Sequence, residues 1–255
     1  MKIKYKNKAN CRIKYGYGEK IVISGYNMRV GRSPHKLKIP RFFNCDLAYL
    51  SGYHLGDGYL EDFEKTFIRI GKGGYEIDYA DKDKFQLELI NRIIYQQFNY
   101  RLRVFAHNTK KQYIARGKSK AYHWFLNQVL KIPYGKRTDF KIPRWVYKDK
   151  SFIKNFLSGF FDAEGDVSRT INRRYKDKIY YILRIQITQK NSVILAEIQS
   201  VLKKYFSIHS YIHKKWNQDA YILRIRSNTG VIQFFKSINS RNVTKREKLL
   251  NLLKS

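Results

Sequence analysis

Along this chain the spacing of apolar residues changes period, and the changes recur. In SFIKNFLSGFFDAEG (151–165), Phe152, Ile153, Phe156, Leu157, Phe160 and Phe161 fall at intervals of one, three and four. That spacing predicts a helix with a broad apolar face, with Ser151 placed to cap its start. NCDLAYLSGYHLGDG (44–58) carries a weaker form of the pattern, with Asn44 or Asp46 as the cap. In both, the glycine after the acid is the expected stop. Beyond each helix the period falls to two. YILRIQIT (181–188) sets Leu183, Ile185 and Ile187 against Arg184, Gln186 and Thr188, and YILRIRS (221–227) sets Leu223 and Ile225 against Arg224 and Arg226. TFIRIG (66–71) and YRLRVFAH (100–107) alternate more roughly. These segments predict half-buried antiparallel strands with a wet face of Arg, Gln and Thr. Helical patterns return over 83–98, 119–130, 191–206 and 229–238. The expected order in each half is helix, two strands, helix, two strands, helix.

The two halves are copies. LSGYHLGDG at Leu50 and LSGFFDAEG at Leu157 are offset by 107 residues, and the preceding KIPRF (38–42) and KIPRW (141–145) by 103. A nearly constant offset across two separate segments indicates a duplicated unit of about a hundred residues. The expected divisions are a basic N-terminal extension (1–45), a first half (46–131), a linker (132–148) and a second half (149–255). A hairpin fits RIKYGYGEKIVIS (12–24).

Charge narrows the partners. The 255 residues hold 52 Lys and Arg against 20 Asp and Glu, a formal net charge of +32. Such an excess self-repels unless a polyanion neutralises it, which favours nucleic acid over a membrane surface. No uncharged run approaches a spanning helix, and the N-terminus lacks an apolar run of signal-peptide type, so an intracellular setting is expected. Cys11 and Cys45 are too few for a disulfide framework or a four-thiolate zinc site.

Asp57 and Glu164 stand at the same place in the two copies, each at a helix C-terminus. The macrodipole is negative there, so each acid costs about 0.3–1 kcal/mol where a lysine would contribute as much. Two such acids at equivalent positions point to a local cation, for which a hard divalent metal with oxygen ligands is the natural candidate. Gly52 and Gly56 lie four apart, and Gly159 and Ala163 repeat that spacing. Small residues on one helical face let two helices meet backbone to backbone, which would bring Asp57 and Glu164 together. Metal-assisted phosphodiester hydrolysis uses that arrangement.

With these residues the chain resembles the LAGLIDADG homing endonucleases. LSGYHLGDG matches the family's nine-residue motif at Leu50, Gly52, Asp57 and Gly58, and LSGFFDAEG matches it at Leu157, Gly159, Asp162, Ala163, Glu164 and Gly165. The first copy departs at the sixth place, Leu55 where the motif has Asp, a place that is not the metal ligand. The resemblance covers roughly residues 44–255, and IPYGKRTDFKIPRW (132–145) looks like the joint of single-chain members. It implies an α+β fold of two pseudo-symmetric αββαββα halves. The motif helices would pack at the central interface, and the two sheets would form a DNA-binding saddle. It implies that Asp57 and Glu164 bind Mg²⁺ and serve the two strand cleavages, across the minor groove and leaving short 3′ overhangs. It further implies a polar residue and a lysine after the second strand: Gln189 and Lys190 in one half, Asp81 and Lys82 in the other. A lysine there would stabilise developing charge or poise a water. Asp81 opposite Gln189 makes the halves chemically unequal.

Arg69, Arg101, Arg103, Arg184, Gln186, Thr188, Arg224 and Arg226 are the candidates for the groove-facing surface. Arg and Gln read guanine and adenine edges, while a large share of contacts goes to phosphate alone. A monomer acting on double-stranded DNA is expected. No intein splicing junction is visible, which favours an intron-encoded enzyme. Two alternatives share the scaffold: an RNA maturase that assists intron splicing, and a non-catalytic DNA-binding protein.

Overall fold

The computed structural model describes residues 37–62, 66, 74–135, 139–175 and 178–254. The hairpin expected over 12–24 and residues 67–71 of the strand expected over 66–71, Arg69 included, lie outside the described residues, while Thr66 at the start of that strand is helical. The first half runs α1 (Cys45–Asp57), β1 (Gly58–Leu60), β2 (Glu76–Asp81), α2 (Lys84–Phe98), β3 (Arg103–Ala106), β4 (Tyr113–Lys118) and α3 (Lys120–Trp124), which continues as a π-helical turn, Phe125–Val129. The second half repeats this order with α4 (Lys150–Glu164), β5 (Gly165–Tyr175), β6 (Lys178–Gln189), α5 (Ser192–Phe206), β7 (Tyr211–Lys214), β8 (Tyr221–Ile225) and α6 (Asn228–Ile238). A last helix, α7 (Val243–Lys254), follows. The apolar pattern does not announce it, because only Leu249 on it is buried.

Each half forms a four-stranded antiparallel sheet of the same order, β1-β2-β4-β3 and β5-β6-β8-β7. The fold is therefore α+β with an internal pseudo-twofold repeat. Register settles which residues share a face. Ile185 pairs with Val167 and Ile225, and Ile187 with Leu223, so these rows turn to the helices. Asp166, Gln186, Arg224 and Tyr211 lie side by side on the other face, as do Tyr59, Asp78, Arg116 and Arg103 in the first sheet.

Between the sheets α1 and α4 form the most extensive helix pair. Tyr49, Leu50, Tyr53, Phe156 and Phe160 on them are fully buried. Complete burial of a large apolar side chain contributes about 1.5–3 kcal/mol, so this seam is a main source of stability. Asn44 caps α1 by accepting the Leu47 N–H at 2.9 Å. The α4 cap is Asp149, not Ser151: its carboxylate accepts the Ser151 N–H at 2.7 Å. An acid one turn before the first apolar residue both satisfies an orphan donor and meets the positive end of the dipole. The linker ends in a 3₁₀ turn, Arg144–Lys148, whose Trp145 stacks on Phe43 at 4.4 Å and ties the two Lys-Ile-Pro-Arg segments together.

Candidate active site

The crossing of α1 and α4 is built by glycines, and it is symmetric. A Cβ on Gly52 would overlap the Phe156 carbonyl oxygen and stand 2.9 Å from the Phe160 nitrogen. A Cβ on Gly159 would overlap the Tyr49 carbonyl oxygen and stand 2.9 Å from the Tyr53 nitrogen. One turn on, the Gly56 backbone meets Ala163, and a Cβ there would lie 3.0 Å from the Glu164 Cγ. All four small residues thus lie at one seam, and Asp57 and Glu164 end the two helices beside each other. Gly58 and Gly165 stop the helices in extended conformation, with φ of −87° and −86°, not in the left-handed region. They are glycine because the chain enters β1 and β5 against the rings of His54 and Phe161, leaving no room for a Cβ.

Around the acids the halves differ. The Glu164 Oε1 accepts from the Gln189 Nε2 at 2.7 Å, and the Gln189 Oε1 accepts the Lys190 N–H at 2.9 Å. In the first half Asp81 takes the place of Gln189. It accepts from the Tyr53 hydroxyl at 2.6 Å and from the Asp83 N–H at 2.9 Å. Burial, then Asp81 and Asp57, hold the Tyr53 phenol well above its ordinary range, so it remains a donor. Lys82 and Lys190 occupy equivalent exposed positions just past β2 and β6. An open cleft of ≈ 410 Å³ lies beside Glu164, lined by Leu55, Gly56, Gln189 and Lys190.

Three further side chains meet the crossing that sequence reasoning did not single out for it. Asp162, read only as a motif residue, anchors the chain ahead of α7. It accepts from the Tyr49 hydroxyl at 2.7 Å, from the Arg241 and Asn242 N–H groups at 2.9 and 3.1 Å, and from the Ser240 hydroxyl. Burial nevertheless raises its pKa. Leu55, at the same motif place in the first half, is simply core. Arg241 lies over the Tyr49 ring at 4.4 Å and reaches both motif helices, at Asp46 (2.7 Å) and Asn155 (2.7 Å). Lys245 donates to the carbonyl oxygens of Phe161 and Asp162 at 2.9 and 2.7 Å, at the end of α4. Burial lowers its pKa, against the opposing influence of Asp162, Asp81, Asp57 and Asp166. No periodic or motif signal marks Lys245, which comes to the site from a helix outside the repeat.

The polar faces hold most of the other expected residues. Arg184, Gln186 and Thr188 alternate on β6, with Arg184 bonded to the Ser168 hydroxyl at 3.2 Å. Arg224 extends over Tyr211 in the same row as Gln186, and Arg226 is exposed just past β8. Arg103 is exposed on β3. Arg101 departs from expectation: it precedes the strand, and its guanidinium lies 4.1 Å over Tyr95 of α2. Stacking on an aromatic face is more favourable for it than an exposed strand end. The residues that β4 adds were missed: Arg116, in fork geometry on Asp78 at 2.8 and 2.6 Å, and Lys118 beside Glu76.

The donors at the crossing are hard oxygens: the Asp57 and Glu164 carboxylates and the side-chain amide of Gln189. Among the described residues no three His, Cys, Asp or Glu side chains gather to hold an ion. That set fits a cation such as Mg²⁺, which takes one or two carboxylates and fills its shell with water and substrate phosphates.

Comparison with known proteins agrees with this architecture. Residues 151–239 match the LAGLIDADG-like domain. The ATP-dependent DNA helicase Hel308 of Methanocaldococcus jannaschii is 24% identical over 97% of this chain, and the probable translation initiation factor IF-2 of the same organism is 26% identical over 75%. The chain spans 20% and 16% of the length of those proteins. Among solved structures, I-DmoI in complex with DNA and Mn superposes with a TM-score of 0.54 at 18% identity, covering 78% of this chain and 98% of that one. The LAGLIDADG homing endonuclease I-LtrWI bound to target DNA gives 0.57 at 15% identity, covering 82% and 91%. I-SmaMI bound to uncleaved DNA with calcium gives 0.55 at 12%, covering 81% and 88%. The second half thus matches the LAGLIDADG-like domain, and the chain as a whole has the fold of the solved LAGLIDADG homing endonuclease structures.

Proposed function

We propose that the chain is a site-specific homing endonuclease that makes a double-strand break in a long DNA target by Mg²⁺-dependent phosphodiester hydrolysis, acting as an intracellular monomer. The observation that supports this most is the meeting of Asp57 and Glu164 at the ends of two helices locked by backbone contact, between two like sheets with Arg-bearing outer faces. A bound divalent ion would supply the Lewis acid and lower the pKa of its water. The chain's own residues do the rest. Asp57 and Glu164 hold the cation, the Gln189 amide orients Glu164, and Tyr53 orients Asp81. Lys82 and Lys190 stand where negative charge develops on the phosphate. The polar rows grip the duplex.

Two longer proteins of different names carry a segment like this chain, which favours a module that moves between genes. In both, the segment lies in frame within the longer protein, an arrangement that an intron reading frame does not require. The test is to incubate the protein and Mg²⁺ with a plasmid library of randomised inserts and to sequence the cut ends. One shared motif with short 3′ overhangs supports the proposal. Uncut DNA together with tight binding of intron RNA favours the maturase instead.

A further inference from the structure

The sequence places two acids at helix ends that are short of positive charge, and at their crossing the chain itself supplies some. Residues 239–254 run as a strap across the junction of the two halves. Thr244 donates to Asp83 at 2.8 Å, Lys248 pairs with Asp166 at 2.7 Å, and between them Lys245 is buried against the last carbonyls of α4. Asp83 in turn donates its N–H to Asp81. Lys245 is therefore fixed from both sides, one residue from a direct contact with the Asp81–Asp83 loop and next to the helix end that abuts Gly56 and Asp57. Of the two halves that the strap joins, the first has the additional acid: Asp57 is accompanied by Asp81, whereas Glu164 is accompanied by the neutral Gln189. Glu164 and Gln189 line the open cleft together with Gly56 and Gly58, the neighbours of Asp57.

We propose that Lys245 is a tethered cation for the Asp57–Asp81 pair, so that this half takes up a divalent ion less readily than the Glu164 half, which draws its cation from solution. An ammonium held between the end of α4 and the Asp81–Asp83 loop repels an arriving ion and offsets the charge of the extra carboxylate. Its two carbonyl acceptors keep it there in the absence of DNA. The inference rests on the metal-binding role given above to the two acids.

Titration of the full chain with Mn²⁺, followed by the electron paramagnetic resonance of the free ion, tests it. The wild type should bind one ion more tightly than any other; Glu164→Gln should abolish that ion and Asp57→Asn should leave it. Lys245→Met should gain a second ion, with affinity at the Asp57 site rising on the order of tenfold or more, and adding Asp81→Asn should remove it again. Lys245→Arg should behave as wild type. Loss of the tight ion in Asp57→Asn, or wild-type stoichiometry in a Lys245→Met protein with unchanged circular dichroism, overturns the inference while metal binding itself stands. If Lys245→Met fails to fold, the contrast between Asp57→Asn and Glu164→Gln decides alone. Absence of any bound Mn²⁺ in every variant overturns the metal role and this inference with it.

Discussion

Substitution of Gly52 by alanine inserts one methyl group where two helical backbones touch. The added carbon would fall about 0.5 Å inside ordinary contact with the Phe160 nitrogen, and more than twice as far inside contact with the Phe156 carbonyl oxygen. Both obstacles are main chain, so no rotamer change relieves them and α1 must move off α4. Overpacking of this kind costs about 1–3 kcal/mol, and a clash made only with backbone belongs at the upper end. For a chain of this length each kcal/mol shifts Tm by roughly 2–4 °C, so Gly52→Ala should lower it by roughly 6–12 °C. Gly159→Ala should match it, because its clashes with Tyr49 and Tyr53 mirror the first set. The double variant should lose less than the two losses added, since separation for one methyl accommodates the other. Gly74→Ala is the control: its Cβ would meet only the flexible Lys118 side chain, and a change within about 0.5 kcal/mol is expected. Thermal melts by circular dichroism read all four. A Gly52→Ala protein that melts with the wild type would refute backbone contact at the crossing.

Asp162→Asn leaves a neutral group where four donors converge on a carboxylate, and should cost about 2–3 kcal/mol in urea unfolding, with faster amide exchange in residues 239–254. His123 is buried with its Nε2 at 2.7 Å from the Glu61 carbonyl oxygen, and burial lowers its pKa. The unfolded chain therefore takes up this proton first, so stability should be level above about pH 6.5 and fall as pH drops below it, while His123→Gln should lack that component of the slope. Arg224→Ala should weaken duplex DNA binding and reduce the steepness of its log-linear salt dependence by up to about 0.9. Arg101→Ala, stacked on Tyr95, should change that slope little.

Much of this molecule is legible without coordinates because its information is periodic or repeated. Helices over 83–98 and 191–206 show their apolar faces openly, and capping by Asp83 and Asn191 sets their starts as observed. The glycines at positions 52 and 159 carried the crossing, since few arrangements besides backbone contact require that spacing twice. Short strands were harder. β1 has three residues and β7 four, too few for alternation to stand out. In β4 the alternation is broken by Gly117, whose Cβ would crowd the Tyr100 hydroxyl at 2.5 Å. The strap was invisible for a different reason. Its contacts are single polar ones made by Arg241, Thr244, Lys245 and Lys248 to residues far away in the chain, and no local pattern encodes such partners.

Strand-resolved cleavage by acid variants tests the central claim most directly. On a target recovered from the randomised library, labelled separately on each strand, the wild type with Mg²⁺ should cut both. Asp57→Asn and Glu164→Gln should each remove or slow cleavage by at least about a hundredfold, and the combined variant should cut neither strand while still binding the duplex. Cleavage of both strands at the wild-type rate by either single variant would contradict the account.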